Sequence, residues 1–348
     1  MKGLLAAMIP RDRRGRRGAA LLAIVLALLN LGGWGWALAL FHDRPALIGI
    51  AVVVYALGLR HAVDADHIAA IDNVTRKLAG QDRHPVSTGF WFAAGHASVV
   101  LLVTLVVATA AQRLDIFRAW QDTGGTVSMA VSALFLLLVA GMNFVILDAT
   151  LGALRLHRAG GTVDDGALDL MFAGRGPLSR LFRPLFAAID RPWQMAPLGF
   201  LFGLGFDTAT EVTLFGLAAS QAGDGLPVYA ILVFPVLFAG GMALVDTADG
   251  MVMAGAYRWA AIDPLRKLYY NMTITLMSIA VALFIGGVEL ALLAIRLFGI
   301  GGPLAAAAER VGDSFNLLGF GIIAAFALAW LVSHQLYRRA GAMPAVHP

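Results

Sequence analysis

The sequence predicts an all-α integral membrane protein of eight transmembrane helices, with both termini cytoplasmic and a 4+4 organisation about a central connector. Three observations carry this expectation. Mean hydropathy is +0.77 and only 14% of residues are charged, against about 25% in soluble domains. Apolar stretches of roughly the 20 residues needed to cross a bilayer core recur along the chain. Lys and Arg concentrate in alternate connections between those stretches, the asymmetry that sets membrane orientation.

The spans are expected at about 19–41, 46–70, 89–111, 126–149, 196–220, 227–254, 270–295 and 314–336. The first follows a basic segment, Arg11 to Arg17, and its Ala37-Leu38-Ala39 resembles a leader-cleavage site. Its apolar run continues to Phe41, long enough to span, so it is read as a retained first helix. The second begins as the uninterrupted apolar run Ala46 to Leu59 and ends in a cluster of ionisable residues. The third, fifth and sixth carry shorter polar insertions; the fourth, seventh and eighth are apolar through their centres. Glu289 and His334 lie near span ends, where snorkelling to the interface accounts for them. Segment 150–195, with Gly160-Gly161-Thr162-Val163-Asp164-Asp165-Gly166, reads as a solvated cytoplasmic connector between helices 1–4 (19–149) and 5–8 (196–336). Within it, Leu178 to Ile189 reads as a short amphipathic piece on the membrane surface.

With the amino terminus inside, 20 of the 26 Lys and Arg residues occupy inner segments, 71–88 among them, and five occupy outer loops. Topology therefore explains the net charge of +4, and the partner it implies is the lipid bilayer rather than a nucleic acid. Cysteine is absent, which removes thiolate sites and the best ligand for soft metals while leaving imidazole and carboxylate for borderline ones. No Gly-Lys-Ser/Thr phosphate loop occurs, so the chain does not hydrolyse ATP through a P-loop. Nothing in it points to an ATPase subunit.

Residues Arg60-His61-Ala62-Val63-Asp64-Ala65-Asp66-His67-Ile68 place five ionisable side chains in nine positions at the end of an apolar run. Each charge in hydrocarbon costs about 2.5–3.5 kcal/mol on insertion scales, which makes such a cluster functional by default. Two imidazoles and two carboxylates form a ligand set for a divalent transition metal. On a continuous helix His61, Asp64 and His67 share one face and Asp66 points away. The two histidines are then roughly 9 Å apart along the axis. They reach one ion only if the helix unwinds locally, as transporter helices do at their sites; otherwise they are two steps of a relay. Arg60 reads as a counter-charge to the carboxylates.

Three further spans carry polar insertions: Phe92 to Val100 with Gly95-His96, Leu204 to Glu211 with Asp207-Thr208, and Gly241 to Asp249 with Asp246-Thr247. Asp207 and Glu211 are i,i+4 neighbours, and Asp246 and Asp249 are i,i+3 neighbours, so each pair shares a helical face. His96 is either a ligand or an interhelical hydrogen-bond partner, and the threonines serve equally well as interhelical glue.

These four segments in order resemble the signatures of the nickel/cobalt transporter family. The H-x4-D-H core matches His61, Asp66 and His67; L-G-x-D-T-A-T-E matches Leu204 to Glu211; G-M-x-x-x-D-T-x-D matches Gly241 to Asp249. The remaining signature is met with Ala97 where Ser is usual. The resemblance covers nearly the whole chain. It implies a secondary transporter taking up Ni²⁺ or Co²⁺ across the bacterial cytoplasmic membrane, with the ion as cargo and no resident cofactor. It further implies that His61, Asp64, Asp66 and His67 recognise the metal, supported by His96, Asp207, Thr208, Glu211, Asp246 and Asp249. Asn30, the uncharged hydrogen-bonding side chain in the middle of the first span, is the candidate contribution from helix 1. Val63 occupies a position that alternates between Val and Phe in the family and is expected to favour Ni²⁺. Two rivals remain. An efflux protein of related architecture is disfavoured because the connector holds only His157, and an intramembrane metalloenzyme because HExxH is missing.

Overall fold

A computed structural model describes residues 13–80, 85–109, 114–158, 189–204, 226–260, 264–315, 317–325 and 328. Every regular element among them is helical. They are α1 (Arg13–Phe41), α2 (Pro45–His61), α3 (Ala65–Gly80), α4 (Thr88–Thr109), α5 (Leu114–Arg158), α6 (Met195–Gly203), α7 (Val228–Ile231), α8 (Val233–Ala260), α9 (Pro264–Phe298) and α10 (Pro303–Gly312). Single 3₁₀ turns at Pro85–Ser87 and Pro192–Gln194 precede α4 and α6.

Five helical stretches among the described residues are long and apolar enough to cross a membrane: Gly15–Phe41, Pro85–Val106, Gly125–Gly152, Val228–Tyr257 and Met272–Phe298. A sixth crossing arises if α2 and α3, bent by 53° about the break at 62–64, form one span. The expected fifth and eighth spans fall partly outside the described residues, as do most of the connector and nearly all of Leu178 to Ile189. Polarity is inverted relative to a soluble bundle. Leu21, Leu28 and Leu31 of α1 lie exposed while His61, His67, Asp72 and Asp246 are buried, the arrangement of a protein solvated by lipid.

α8 is the hub, packing against α1, α2, α3 and α4, while α9 lies along α5 and reaches α3. Glycines set the closest approaches. A Cβ on Gly58 of α2 would overlap the backbone carbonyl of Phe238 on α8, and one on Gly241 of α8 would stand 2.7 Å from the Tyr55 carbonyl of α2. Small residues at a crossing let two backbones touch, which is how helices associate in lipid. Gly58→Val should lower the apparent melting temperature of the detergent-solubilised protein, since overpacking a tight contact costs about 1–3 kcal/mol. Gly49→Val, on the same helix but with nothing within 4 Å of its would-be Cβ, should leave it nearly unchanged. Equal shifts in the two variants would refute the crossing-point assignment.

Two expectations change here. Segment 71–80 is not an inner loop: α3 carries it as a buried helix, with Ile71, Asp72 and Thr75 0% exposed and Arg76 9% exposed. Apolar composition alone misses this stretch because several of its buried side chains are polar, with Asp72 and Arg76 finding partners on other helices. Glu289 does not snorkel. It is buried in α9 and accepts a 2.8 Å hydrogen bond from Ser132 Oγ of α5. His334 lies outside the described residues.

Candidate metal centre

The break between α2 and α3 brings the two histidines of the first motif together. α2 ends at His61, the amides of Val63 and Asp64 close turns onto the Arg60 and His61 carbonyls at 3.0 Å, and α3 starts at Ala65. Both carboxylates sit at the new helix start. Asp64 Oδ1 accepts from the Ala65 amide at 3.1 Å and Asp66 Oδ1 from the His67 amide at 2.8 Å, satisfying donors that a helix N-terminus leaves open. Their charge also offsets the positive end of the α3 dipole, while the negative end of α2 faces the break.

Across this break stands His96 of α4. The His61 and His67 ring centroids are 4.9 Å apart, and His96 lies 4.8 Å from the first and 4.9 Å from the second. One ligand nitrogen from each can be chosen so that all lie within 4.8 Å of one another. His61 Nε2 and His96 Nε2 are 3.1 Å apart. All three are buried, at 6%, 1% and 2% exposure. Phe92 packs edge-on against His67, with ring centroids 4.8 Å apart, and Phe238 tilts onto His61, so the cluster has apolar walls on two sides.

Asp246 of α8 completes the surroundings. It is 0% exposed, and its Oδ1 lies 3.6 Å from His67 Nδ1. Neither of its carboxylate oxygens has a hydrogen-bond partner among the described residues. A desolvated carboxylate without donors is costly, and a cation in the adjoining imidazole cluster would offset that cost. α4 reaches this position because Gly95, beside His96, lets it meet α6: a Cβ there would overlap the Ala196 carbonyl, and one on Gly199 of α6 would overlap the Phe92 carbonyl. Residues 317–325, also helical, back the break, where a Cβ on Gly319 would overlap the Val63 carbonyl.

A profile of the high-affinity nickel-transport proteins, the NicO family, matches residues 47–336. The chain belongs to this family. Among its relatives, the high-affinity nickel transport protein of Cupriavidus necator is 49% identical over 329 residues, covering 93% of each chain. The hydrogenase nickel incorporation protein HupN of Bradyrhizobium diazoefficiens is 47% identical, covering 97% of this chain and 89% of that one. The cobalt transport protein NhlF of Rhodococcus rhodochrous is 41% identical, covering 89% and 90%. No solved structure matches the chain.

The other singled-out residues of this NicO-family chain divide clearly. Val63 is buried at the break, packed with Ala65, Ile68 and Ile322. Asn30 is engaged on its own side of the bundle: its Oδ1 accepts from the Tyr55 hydroxyl at 2.9 Å, its Nδ2 donates to the Leu26 carbonyl at 2.8 Å, and it abuts Gly240. Arg60 lies on the exposed side of α2. Asp207, Thr208 and Glu211 lie outside the described residues. Asp249 sits one turn beyond Asp246, with its Oδ2 buried. His96, which the sequence leaves open between ligand and interhelical partner, stands within the cluster, and the adjoining Gly95 at the α6 crossing marks the position as structurally specified.

Proposed function

We propose that this chain is a secondary permease that carries Ni²⁺ and Co²⁺ into the cell across the bacterial cytoplasmic membrane. The reading rests on one observation above all: three buried imidazoles from α2, α3 and α4 converge at a helix break with a buried carboxylate beside them. Imidazole suits nickel and other borderline metals, and broken helices with ion sites are the common architecture of secondary transporters. The relatives' printed names, nickel transport in one and cobalt transport in another, agree with this cargo.

In this mechanism the ion exchanges part of its water shell for the nitrogens of His61, His67 and His96. Asp246 supplies negative charge, and Asp64 and Asp66 hold the break open as a ligand cage by occupying the α3 amides. Two charges moving down about 100 mV release roughly 4.6 kcal/mol. That supports accumulation by about 10³-fold, since each 1.4 kcal/mol is a factor of ten; coupling to a second ion is unnecessary.

Purified protein in liposomes, given an inside-negative potential and a panel of divalent ions, should accumulate Ni²⁺ and Co²⁺ and exclude Mg²⁺ and Ca²⁺. Accumulation that follows no potential, or that occurs only outward, would overturn the uptake reading. Val63 provides a selectivity test. Its side chain fills a closed space at the break, so Val63→Phe must shift the backbone between His61 and His67 and should raise Co²⁺ uptake relative to Ni²⁺. Parallel ⁶³Ni and ⁵⁷Co uptake measures the ratio, and an unchanged ratio would mean the break does not tune the site.

A further inference from the structure

A second set of buried polar groups lies beyond the histidines along α3. Asp72 is five residues after His67, roughly 7.5 Å further along the helix, and is 0% exposed. Its Oδ2 accepts from Ser278 Oγ of α9 at 3.0 Å, while its Oδ1 has no hydrogen-bond partner among the described residues. Thr75 Oγ1, also fully buried, has none either. It faces Gly250 of α8, 3.8 Å from where a Cβ would stand, and the neighbouring Asp249 has a buried Oδ2 without a partner. Asp249 immediately precedes Gly250, which packs against Ile71 and Thr75, and Asp72 lies one turn before Thr75, so the two carboxylates flank the same contact of α8 with α3.

Arg76, one turn after Asp72, does not close onto these carboxylates. Among the described residues its guanidinium donates to neutral groups: Thr275 Oγ1 at 2.9 Å, Asn73 Oδ1 at 2.9 Å and Asn143 Oδ1 at 2.6 Å. Asn143 Nδ2 donates in turn to Asn73 Oδ1 at 2.7 Å, and Asn73 Nδ2 to the Ala69 carbonyl at 2.7 Å. A cage from α3, α5 and α9 thus holds a buried cation beside, but not on, a pair of under-satisfied carboxylates.

We propose that Asp72, Asp249 and Thr75 form a second, all-oxygen cation station through which the ion passes on its way from the histidine cluster to the cytoplasm. The proposal rests on the uptake reading above, in which α3 and α8 run from the break towards the cytoplasm. Oxygen ligands hold Ni²⁺ and Co²⁺ less tightly than imidazoles do. The caged Arg76, a fixed positive charge beside the station, weakens it further by repelling the arriving ion. Conduction through a site requires binding strong enough to admit the ion and weak enough to let it go; a tight nitrogen site followed by a loose oxygen site has that gradient.

The test is Co²⁺ titration of the purified full-length protein, read by equilibrium binding and pulsed EPR, with uptake measured in liposomes. Wild-type protein should bind two equivalents, the tighter showing imidazole-nitrogen couplings and the weaker showing none. Asp72→Asn and, independently, Asp249→Asn should abolish the weaker equivalent, keep the nitrogen-coordinated one, and lower kcat for uptake by about 10-fold or more with little change in KM, an effect of the size expected for ligand-environment changes. Arg76→Gln should tighten the weaker equivalent by a similar factor. A single equivalent in wild-type protein, or a weaker equivalent that survives both aspartate variants, overturns the station. Loss of nitrogen coupling from the first equivalent would instead indict the histidine site, so the two failures are separable.

Discussion

His67→Ala is expected to abolish high-affinity Ni²⁺ uptake while the protein remains abundant in the membrane. The ring is 1% exposed, reaches both other imidazoles and lies beside Asp246, so its removal takes a nitrogen from the ion and strands the buried carboxylate. Loss of an outer partner of a metal ligand already costs about 10–100-fold in affinity, and loss of the ligand itself should exceed that. His61→Ala and His96→Ala should fall in the same class, because the three rings form one cluster. ⁶³Ni uptake in whole cells at limiting metal, alongside quantification of membrane-inserted protein, measures the effect. Wild-type uptake in a well-expressed His67→Ala variant would remove the histidine cluster from the transport path. A His96→Ala variant with normal uptake beside a dead His67→Ala would reduce His96 to an interhelical hydrogen-bond partner.

The helices here were legible from apolar runs, since hydrocarbon solvent demands a long continuous apolar surface. The first and fourth expected spans lie within helical stretches of sufficient length and hydropathy, and the third, sixth and seventh overlap such stretches with ends that differ by a few residues. What periodicity could not decide was the state of residues 62–64. On a continuous helix the rise of six residues keeps His61 and His67 roughly 9 Å apart along the axis, and the break brings their rings to 4.9 Å. The aspartates of the motif also carry that information: in the structure Asp64 Oδ1 and Asp66 Oδ1 accept amides of the first turn of α3. Arg76 was misassigned for a related reason. A charge in a polar stretch after a span resembles an inner loop, yet Asn73, Asn143 and Thr275 satisfy it within the bundle. Partners on α5 and α9 are some 70 and 200 residues away in the chain, beyond any local pattern. Asn30 shows the same limit: a lone amide in an apolar helix reads as a ligand candidate, and its partner Tyr55 on the neighbouring helix is not visible in any local pattern.

Asp246→Asn separates charge from shape at the same site. The substitution keeps the size of the side chain and its ability to approach His67 Nδ1, now 3.6 Å from Oδ1, but removes the negative charge that faces the incoming cation. Whether the carboxylate binds the ion directly or orients the His67 ring, the charge is what must be present. A carboxylate on a metal-bound imidazole raises its basicity and fixes its tautomer, with losses of about 10–100-fold in affinity or activity when it is removed. Asp246→Asn should therefore raise the KM for Ni²⁺ uptake by about that factor, with the apparent melting temperature held or raised, since a buried charge without hydrogen-bond donors destabilises the metal-free protein. Metal-dependent stabilisation gives an independent readout: excess Ni²⁺ should raise the melting temperature of wild-type protein through preferential binding to the folded state, and this increment should shrink in Asp246→Asn. An unchanged KM together with a full metal-induced shift would mean that Asp246 packs beside the cluster without serving it.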